Sequence, residues 1–209
     1  MSDWPGTSQS GDAPGCSPLL VVITGKPATG KTTLGRRLAV DLRLPFFSKD
    51  SLKETLFDSL GADDRAWSRR LGIASFALLR HISEAMLSAG QSLIVEANFL
   101  DGYDTPYYQT LVTRHGAHVA QIWLTATPET IAQRFEQRAA SDERHPGHVE
   151  LANLDIFRPA LLHNVDGPLS LDGALQIVDT TDFAMVEYGA LLRFVRLAAI
   201  GAASDAHTS

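Results

Sequence analysis

The chain is poor in cysteine: Cys16 is the only one among 209 residues. It lies in a Gly/Ser/Pro-rich stretch, which excludes a disulfide framework and a thiolate metal site. The chain is also short of basic charge. Its 18 Lys and Arg against 24 Asp and Glu give a formal net charge of −6. A protein that grips long nucleic acid by neutralising phosphates needs a basic surface, so that class is disfavoured, although a small basic cleft is not excluded. No apolar run approaches the length of a membrane span, and the N-terminus has neither a basic start nor an apolar segment behind it. The expectation is a cytoplasmic protein with no membrane partner. No internal repeat is visible. A content of 44% hydrophobic and 20% charged residues is ordinary for a globular chain, and 209 residues suffice for one α/β domain but not for two well-built ones.

What is present begins with one stretch. Leu19-Leu20-Val21-Val22-Ile23-Thr24 is an apolar, β-branched run that reads as a buried strand. It leads directly into Gly25-Lys26-Pro27-Ala28-Thr29-Gly30-Lys31-Thr32-Thr33, which has the spacing G-x-x-x-x-G-K-[ST], and helical periodicity follows. Strand, glycine-bounded loop, Lys-Thr and helix together are the context that a P-loop requires. The glycines let the backbone curl so that its N–H groups make an anion nest, and the helix adds its positive N-terminal end. Lys31 is expected to reach the β- and γ-phosphates and the Thr32 hydroxyl to ligate Mg²⁺, so the expected cofactors are ATP and Mg²⁺.

The rest of the chain alternates strands and helices. Residues 1–17 read as a disordered lead-in and 200–209 as a tail with nothing to bury, which leaves 18–199 as one domain. Leu44–Ser48 reads as a second strand ending at Lys49-Asp50, with Ser51 as the N-cap of a helix and Glu54 at its N3 position. After Gly61–Asp64 a long amphipathic helix runs to about Ser88, its apolar positions being Leu71, Ala74, Leu78, Ile82 and Met86. Trp67 and the pair Arg69-Arg70 lie near its start. Ser92–Glu96, Val119–Leu124 and Leu175–Thr180 read as three more strands. Helices are expected at Tyr107–Arg114, from Pro128, over about 150–163, and at Phe183–Ala199. This order implies an α/β fold: a P-loop NTPase three-layer α/β/α sandwich on a five-stranded parallel sheet, with a small lid at about 134–150.

Several groups point beyond nucleotide binding toward phosphoryl transfer to an alcohol. Asp50 falls at the sheet edge where α/β ligands bind, and can orient an acceptor hydroxyl and take its proton. Lys53, one turn later, can contact substrate or be a solvated helix lysine. Glu96 ends an apolar strand where an acid can hold Mg²⁺ or its waters, or meet substrate, and Asn98 follows two residues on. Arg134 and Arg138 lie one turn apart on a helix, and Arg144 lies in the polar loop after it. Their guanidinium groups suit the charge spread over phosphoryl oxygens. His145 and His148, with Glu150 nearby, read as lid-loop residues in preference to a metal site. Phe99, Tyr103, Tyr107 and Tyr108 are candidates to line an acceptor pocket.

The segments G-K-P-A-T-G-K-T-T, L-P-F-F-S-K-D-S-L-K-E, L-I-V-E-A-N-F and R-F-E-Q-R together resemble the P-loop kinases of small substrates. They are most similar to the AAA-labelled "ATP-binding protein/kinase" group near chloramphenicol phosphotransferase, polynucleotide 5′-kinase, zeta toxins and the gluconate and shikimate kinases. The resemblance covers about Leu19 to Thr181. It implies that Asp50 is the general base and that Arg134 and Arg138 are the lid arginines on ATP phosphates. Lys53 replaces a substrate-contacting arginine of the polynucleotide kinases, and Glu96 matches an acidic position whose role varies. No second-region arginine finger or sensor motif of the hexameric motors is present. The leading expectation is an ATP-dependent kinase acting on a small-molecule hydroxyl, whether antibiotic, nucleoside, sugar or related metabolite. Two other readings remain open: a nucleotide-gated switch with weak hydrolysis, and a kinase of nucleic-acid 5′ ends.

Overall fold

The computed structural model describes residues 17–61, 63–139, 145 and 167–201, with the side chains of 138 and 139 excepted. All but residue 17 of the expected tail 1–17, all but 200 and 201 of the expected tail 200–209, most of the expected lid and the helix expected over 150–163 lie outside the described residues. Five strands form one all-parallel sheet: β1 Leu19–Gly25, β2 Phe46–Ser48, β3 Leu93–Glu96, β4 His118–Thr125 and β5 Ala174–Asp179. Their spatial order is β2-β3-β1-β4-β5. Among the described residues six α-helices accompany them: α1 Lys31–Leu42, α2 Lys49–Leu60, α3 Arg65–Ser88, α4 Asp101–His115, α5 Pro128–Ala139 and α6 Tyr188–Ala199.

The central strand explains the layering. Every residue of β1 is buried, as a parallel strand covered on both faces requires. Its odd-numbered Leu19, Val21 and Ile23 pack with Leu34 and Leu38 of α1 and with Leu191, Val195 and Ala198 of α6. Its even-numbered Leu20 and Val22 meet Leu79 and Leu87 of α3 and Tyr108, Leu111 and Val112 of α4. The period-two alternation of side chains thus builds two cores, one on each face. The three-layer α/β/α sandwich is as expected.

Three local expectations are corrected. Helix α2 begins at Lys49, not Ser51, with Ser48 as its N-cap residue and no side-chain cap bond. Ser51 is inside the helix, where its carbonyl accepts from Thr55 Oγ1. Asp50 therefore sits in the first helical turn, where a carboxylate is favoured by the dipole. On α3 the core stripe is Ser68, Leu71, Ser75, Leu79, Ser83 and Leu87, whereas Leu78 is exposed. The serines tolerate burial because Ser75 and Ser83 donate to the carbonyls of Leu71 and Leu79, one turn back. The start of α4 also lies earlier than Tyr107, at Asp101, with Pro106 in its second turn.

Candidate functional site

The chain order reverses direction across β1, with β3 on one side and β4 on the other, and open α/β sheets bind ligands at such a point. There the loop after β1 curls back on itself. Ala28 (φ 63°) and Gly30 (φ 85°) both adopt left-handed backbone, a sequence that turns successive N–H groups inward. Gly30 has a second reason to be glycine: a Cβ there would stand 2.5 Å from Cε2 of Phe183. The loop is held from behind by Thr180, whose fully buried hydroxyl lies 3.0 Å from the Thr29 carbonyl and 2.8 Å from that of Thr125. Lys31 is buried, and its Nζ donates to the carbonyls of Gly25 (2.9 Å) and Lys26 (2.7 Å). Thr29 faces inward, donating its hydroxyl to Lys26 O, so it shapes the loop without lining the cleft.

The cleft in front of the loop has a volume of about 690 Å³. Pro27, Ala28, Gly30, Lys31, Thr32 and Thr33 form its wall on the loop side. Across from them stand Lys49, Asp50 and Lys53 of α2. Asp50 is half exposed and pairs with Lys49 Nζ at 3.1 Å. Lys53 Nζ donates to Ser68 Oγ of α3 at 2.9 Å. Glu96 and Asn98 form the floor at the end of β3. That segment is fixed to β1 by the bonds from Ala97 N to Ile23 O and from Phe99 N to Thr24 Oγ1. Arg134 and Phe135 enter from α5. Arg134 Nη2 donates to the carbonyls of Thr180 (2.7 Å) and Thr181 (3.2 Å), beside the loop.

The fit to a divalent cation can be judged from Glu96. Its carboxylate is 4% exposed, and Thr32 Oγ1, at 3.0 Å, is its one hydrogen-bond donor among the described residues. A buried carboxylate met by a single neutral hydroxyl lacks compensating positive charge. Ser48, the register partner of Glu96 across the β2–β3 ladder, also has a buried Oγ without a hydrogen-bond partner among the described residues. A carboxylate with one neutral donor and an unpartnered hydroxyl at adjacent strand ends suit Mg²⁺ and its water shell. The residues present therefore fit that metal.

Of the sequence-predicted residues, Lys31, Thr32, Thr33, Asp50, Lys53, Glu96, Asn98 and Arg134 all line this one cleft. The side chain of Arg138 and all of Arg144, His148 and Glu150 lie outside the described residues. His145 instead meets α2, with Nε2 2.9 Å from Asp58 Oδ1 and its ring edge-on to Phe57, and no group of three or more metal-ligating side chains occurs among the described residues. The aromatic acceptor pocket is not formed. Phe99 and Tyr108 are buried in the core, while Tyr103 and Tyr107 flank Arg80, which pairs with buried Asp104 at 2.7 Å. Arg65, Arg69, Gly72, Ile73 and Phe76 of α3 do line the cleft, and the sequence reading gave none of them a role. A signal existed: Arg65, Arg69 and Arg70 occupy the first two turns of α3, where the helix dipole favours acids.

The profile of the family described as "AAA domain" matches residues 20–160. The chain belongs to this AAA-domain family. A solved structure of a candidate kinase from Chloroflexus aurantiacus J-10-fl is 40% identical, covering 86% of this chain and 94% of that one with a TM-score of 0.75. A shikimate kinase from Synechococcus sp. (strain JA-3-3Ab) is 28% identical over 122 residues, which is 56% of this chain and 58% of that enzyme. The chain thus spans less than two thirds of the length of that relative. A sugar kinase from Janibacter sp. HTCC2649, 18% identical, covers 90% and 96% of the two chains with a TM-score of 0.51, a likeness of fold alone. No helix among the described residues of this AAA-domain protein is long and apolar enough to cross a membrane.

Proposed function

We propose that the protein is a kinase that transfers the γ-phosphoryl group of Mg-ATP to a hydroxyl of a small molecule. The observation that carries this reading is the composition of one cleft. A phosphate nest with its lysine, an under-compensated Thr32–Glu96 oxygen pair and the Asp50 carboxylate on the opposite wall share the same space of about 690 Å³. An ATPase needs only the first two. The likeness to a candidate kinase over 94% of its chain supports the same conclusion.

Each residue then has a role that its position allows. The N–H groups of residues 28–33, which run from the loop into the start of α1, bind phosphate oxygens. Lys31 exchanges its two carbonyl partners for those oxygens. Thr32 and Glu96 hold Mg²⁺, whose contribution when bound is to neutralise charge on the terminal phosphates. Asp50, oriented by Lys49, accepts the proton of the acceptor hydroxyl as its oxygen bonds to phosphorus. Arg134, now on the Thr180 and Thr181 carbonyls, is near enough to the loop to turn toward charge developing on the transferred group.

The test is ADP release from Mg-ATP, with and without pooled hydroxylated acceptors. Stimulation by one pool is expected, and Asp50→Asn should keep ADP binding while losing about 10²- to 10⁴-fold in transfer. Turnover within a few-fold of wild type would remove Asp50 from the mechanism. A slow rate indifferent to every pool, with partner binding that follows nucleotide state, would replace the kinase with a switch.

A further inference from the structure

We infer that the acceptor is an elongated anion, held at one end by Arg65 and Arg69 and laid along α3 so that its far hydroxyl meets Asp50. This deepens the kinase reading and rests on it.

Residues 65, 69, 72, 73 and 76 line the cleft and follow the spacing of a single helix face. They form a continuous track on α3. Its first end carries two arginines that local physics does not explain. Both are exposed, neither has a hydrogen-bond or ion-pair partner among the described residues, and both lie in the first two turns of the helix, where the carboxylate of the N-cap Asp64 accepts from the Trp67 N–H and no acid occupies the first turn itself. Like charges four residues apart repel, and the dipole adds to the repulsion. In a chain of net charge −6, such a concentration of positive potential in a cleft marks a place for an anionic group. Lys53, tied to Ser68 between the two arginines, brings a further cation to the same end. Planar guanidinium pairs suit carboxylate and phosphate alike.

Gly72 supplies the independent observation. It lies well inside a 24-residue helix, where glycine is a poor helix former. A Cβ built there would meet nothing within 4 Å, so no neighbour requires the side chain to be missing. The space left open is the cleft, and it lets a ligand lie against the helix backbone. Beyond it comes Phe76, whose ring centroid is 5.8 Å from Lys49 Nζ, the same ammonium that pairs with Asp50. At a rise of 1.5 Å per residue, Arg69 and Phe76 are separated by about 10 Å along the axis. An acceptor that joins the two ends is longer than a three-carbon acid.

The experiment is calorimetric titration with Mg-ADP saturating the P-loop, using glycerate, gluconate and uridine 3′-monophosphate against their neutral counterparts glycerol, glucose and uridine. A longer anion should bind, its neutral counterpart should bind at least about tenfold more weakly, and glycerate should be the weakest anion. The double variant Arg65→Ala/Arg69→Ala should lose about tenfold or more in anion affinity. Gly72→Ala should raise Tm by about 2 °C through helix propensity, while Gly72→Leu should block the anion in a folded protein. Equal binding of neutral and anionic compounds, no anion bound at millimolar concentration, or affinity indifferent to both arginines would overturn the inference. The kinase reading fails differently. A neutral alcohol that stimulates ADP release, with the stimulation abolished by Asp50→Asn, would keep the kinase and remove the anionic track.

Discussion

Thr180 is the residue whose loss should couple stability to nucleotide binding. It is fully buried at the end of β5, and its hydroxyl lies within hydrogen-bond reach of the carbonyl of Thr29 in the loop and that of Thr125 after β4. Thr180→Val keeps the shape and removes the proton. Thr125 O retains the bond from Thr180 N (2.8 Å), so the Thr29 carbonyl is the group that loses its tie. A buried acceptor left without a donor costs about 1–3 kcal/mol. For a domain of this size about 2 kcal/mol corresponds to a Tm drop of about 6 °C. The same carbonyl sets the orientation of the peptide leading to Gly30, so ADP affinity should fall by about tenfold, or about 1.4 kcal/mol. Thr180→Ser isolates the cause, because it restores the hydroxyl and deletes only a methyl. Differential scanning calorimetry and ADP titration read both quantities. Wild-type ADP affinity in Thr180→Val, or equal damage from Thr180→Ser, would show that the hydroxyl does not hold the loop.

Three further outcomes follow from other contacts. Arg80→Met should destabilise by about 3 kcal/mol, because Asp104 is 2% exposed and among the described residues keeps only the Leu100 N–H as a donor. Adding Asp104→Leu should recover part of that loss, which chemical denaturation of both variants measures. The Asp101 carboxyl is held below its ordinary value of 3.8 by the Thr105 hydroxyl and by the backbone and side chain of Ser170. Its contribution is therefore complete above that value and lost as pH falls below it. The gap in denaturant midpoint between wild type and Asp101→Asn should be constant at neutral pH and close on acidification. Finally, amides of α2, which has no fully buried side chain, should exchange hydrogen faster than those of α1, which buries Lys31, Leu34, Gly35 and Leu38. Equal protection would mean that α2 is fixed by contacts other than its burial.

What the sequence disclosed depended on whether the physics was local. The β1–loop–α1 unit was legible because strand hydrophobicity, glycine spacing and helix period all occupy one contiguous stretch. The strand segments were legible for the same reason, to within a residue or two. The face of α3 was misread because Ser75 and Ser83 satisfy their hydroxyls within the helix, which makes polar residues cheap to bury. Gln121 gave no sign in sequence that its amide would bind both the N–H and the carbonyl of Leu169, 48 positions away. Phe99 and Tyr108 were credited to a pocket because aromatic clustering after a strand does not say which side of the chain faces the sheet. The α3 track was invisible as a track until α2 and α3 were seen to form one wall of the cleft.

The two halves of that cleft differ in how they are supported, and this bears on what each can tolerate. On the nucleotide side, Phe183 stands against Gly30, Thr180 binds the loop carbonyl, and Lys31 is itself buried. A substitution there disturbs packed neighbours and is felt as lost stability. On the acceptor side, Arg65 and Arg69 are exposed, Ile73 is 64% exposed and Gly72 has open space where a side chain would be. A substitution there changes the chemistry presented to a ligand with little consequence for the core. On the proposed reading, phosphate binding is built into the fold, whereas acceptor choice is written on a surface that rests on it. Mutations that alter acceptor preference should therefore concentrate on α3 and the first turn of α2 and leave Tm nearly unchanged, because only there can side chains be exchanged without repacking the sheet.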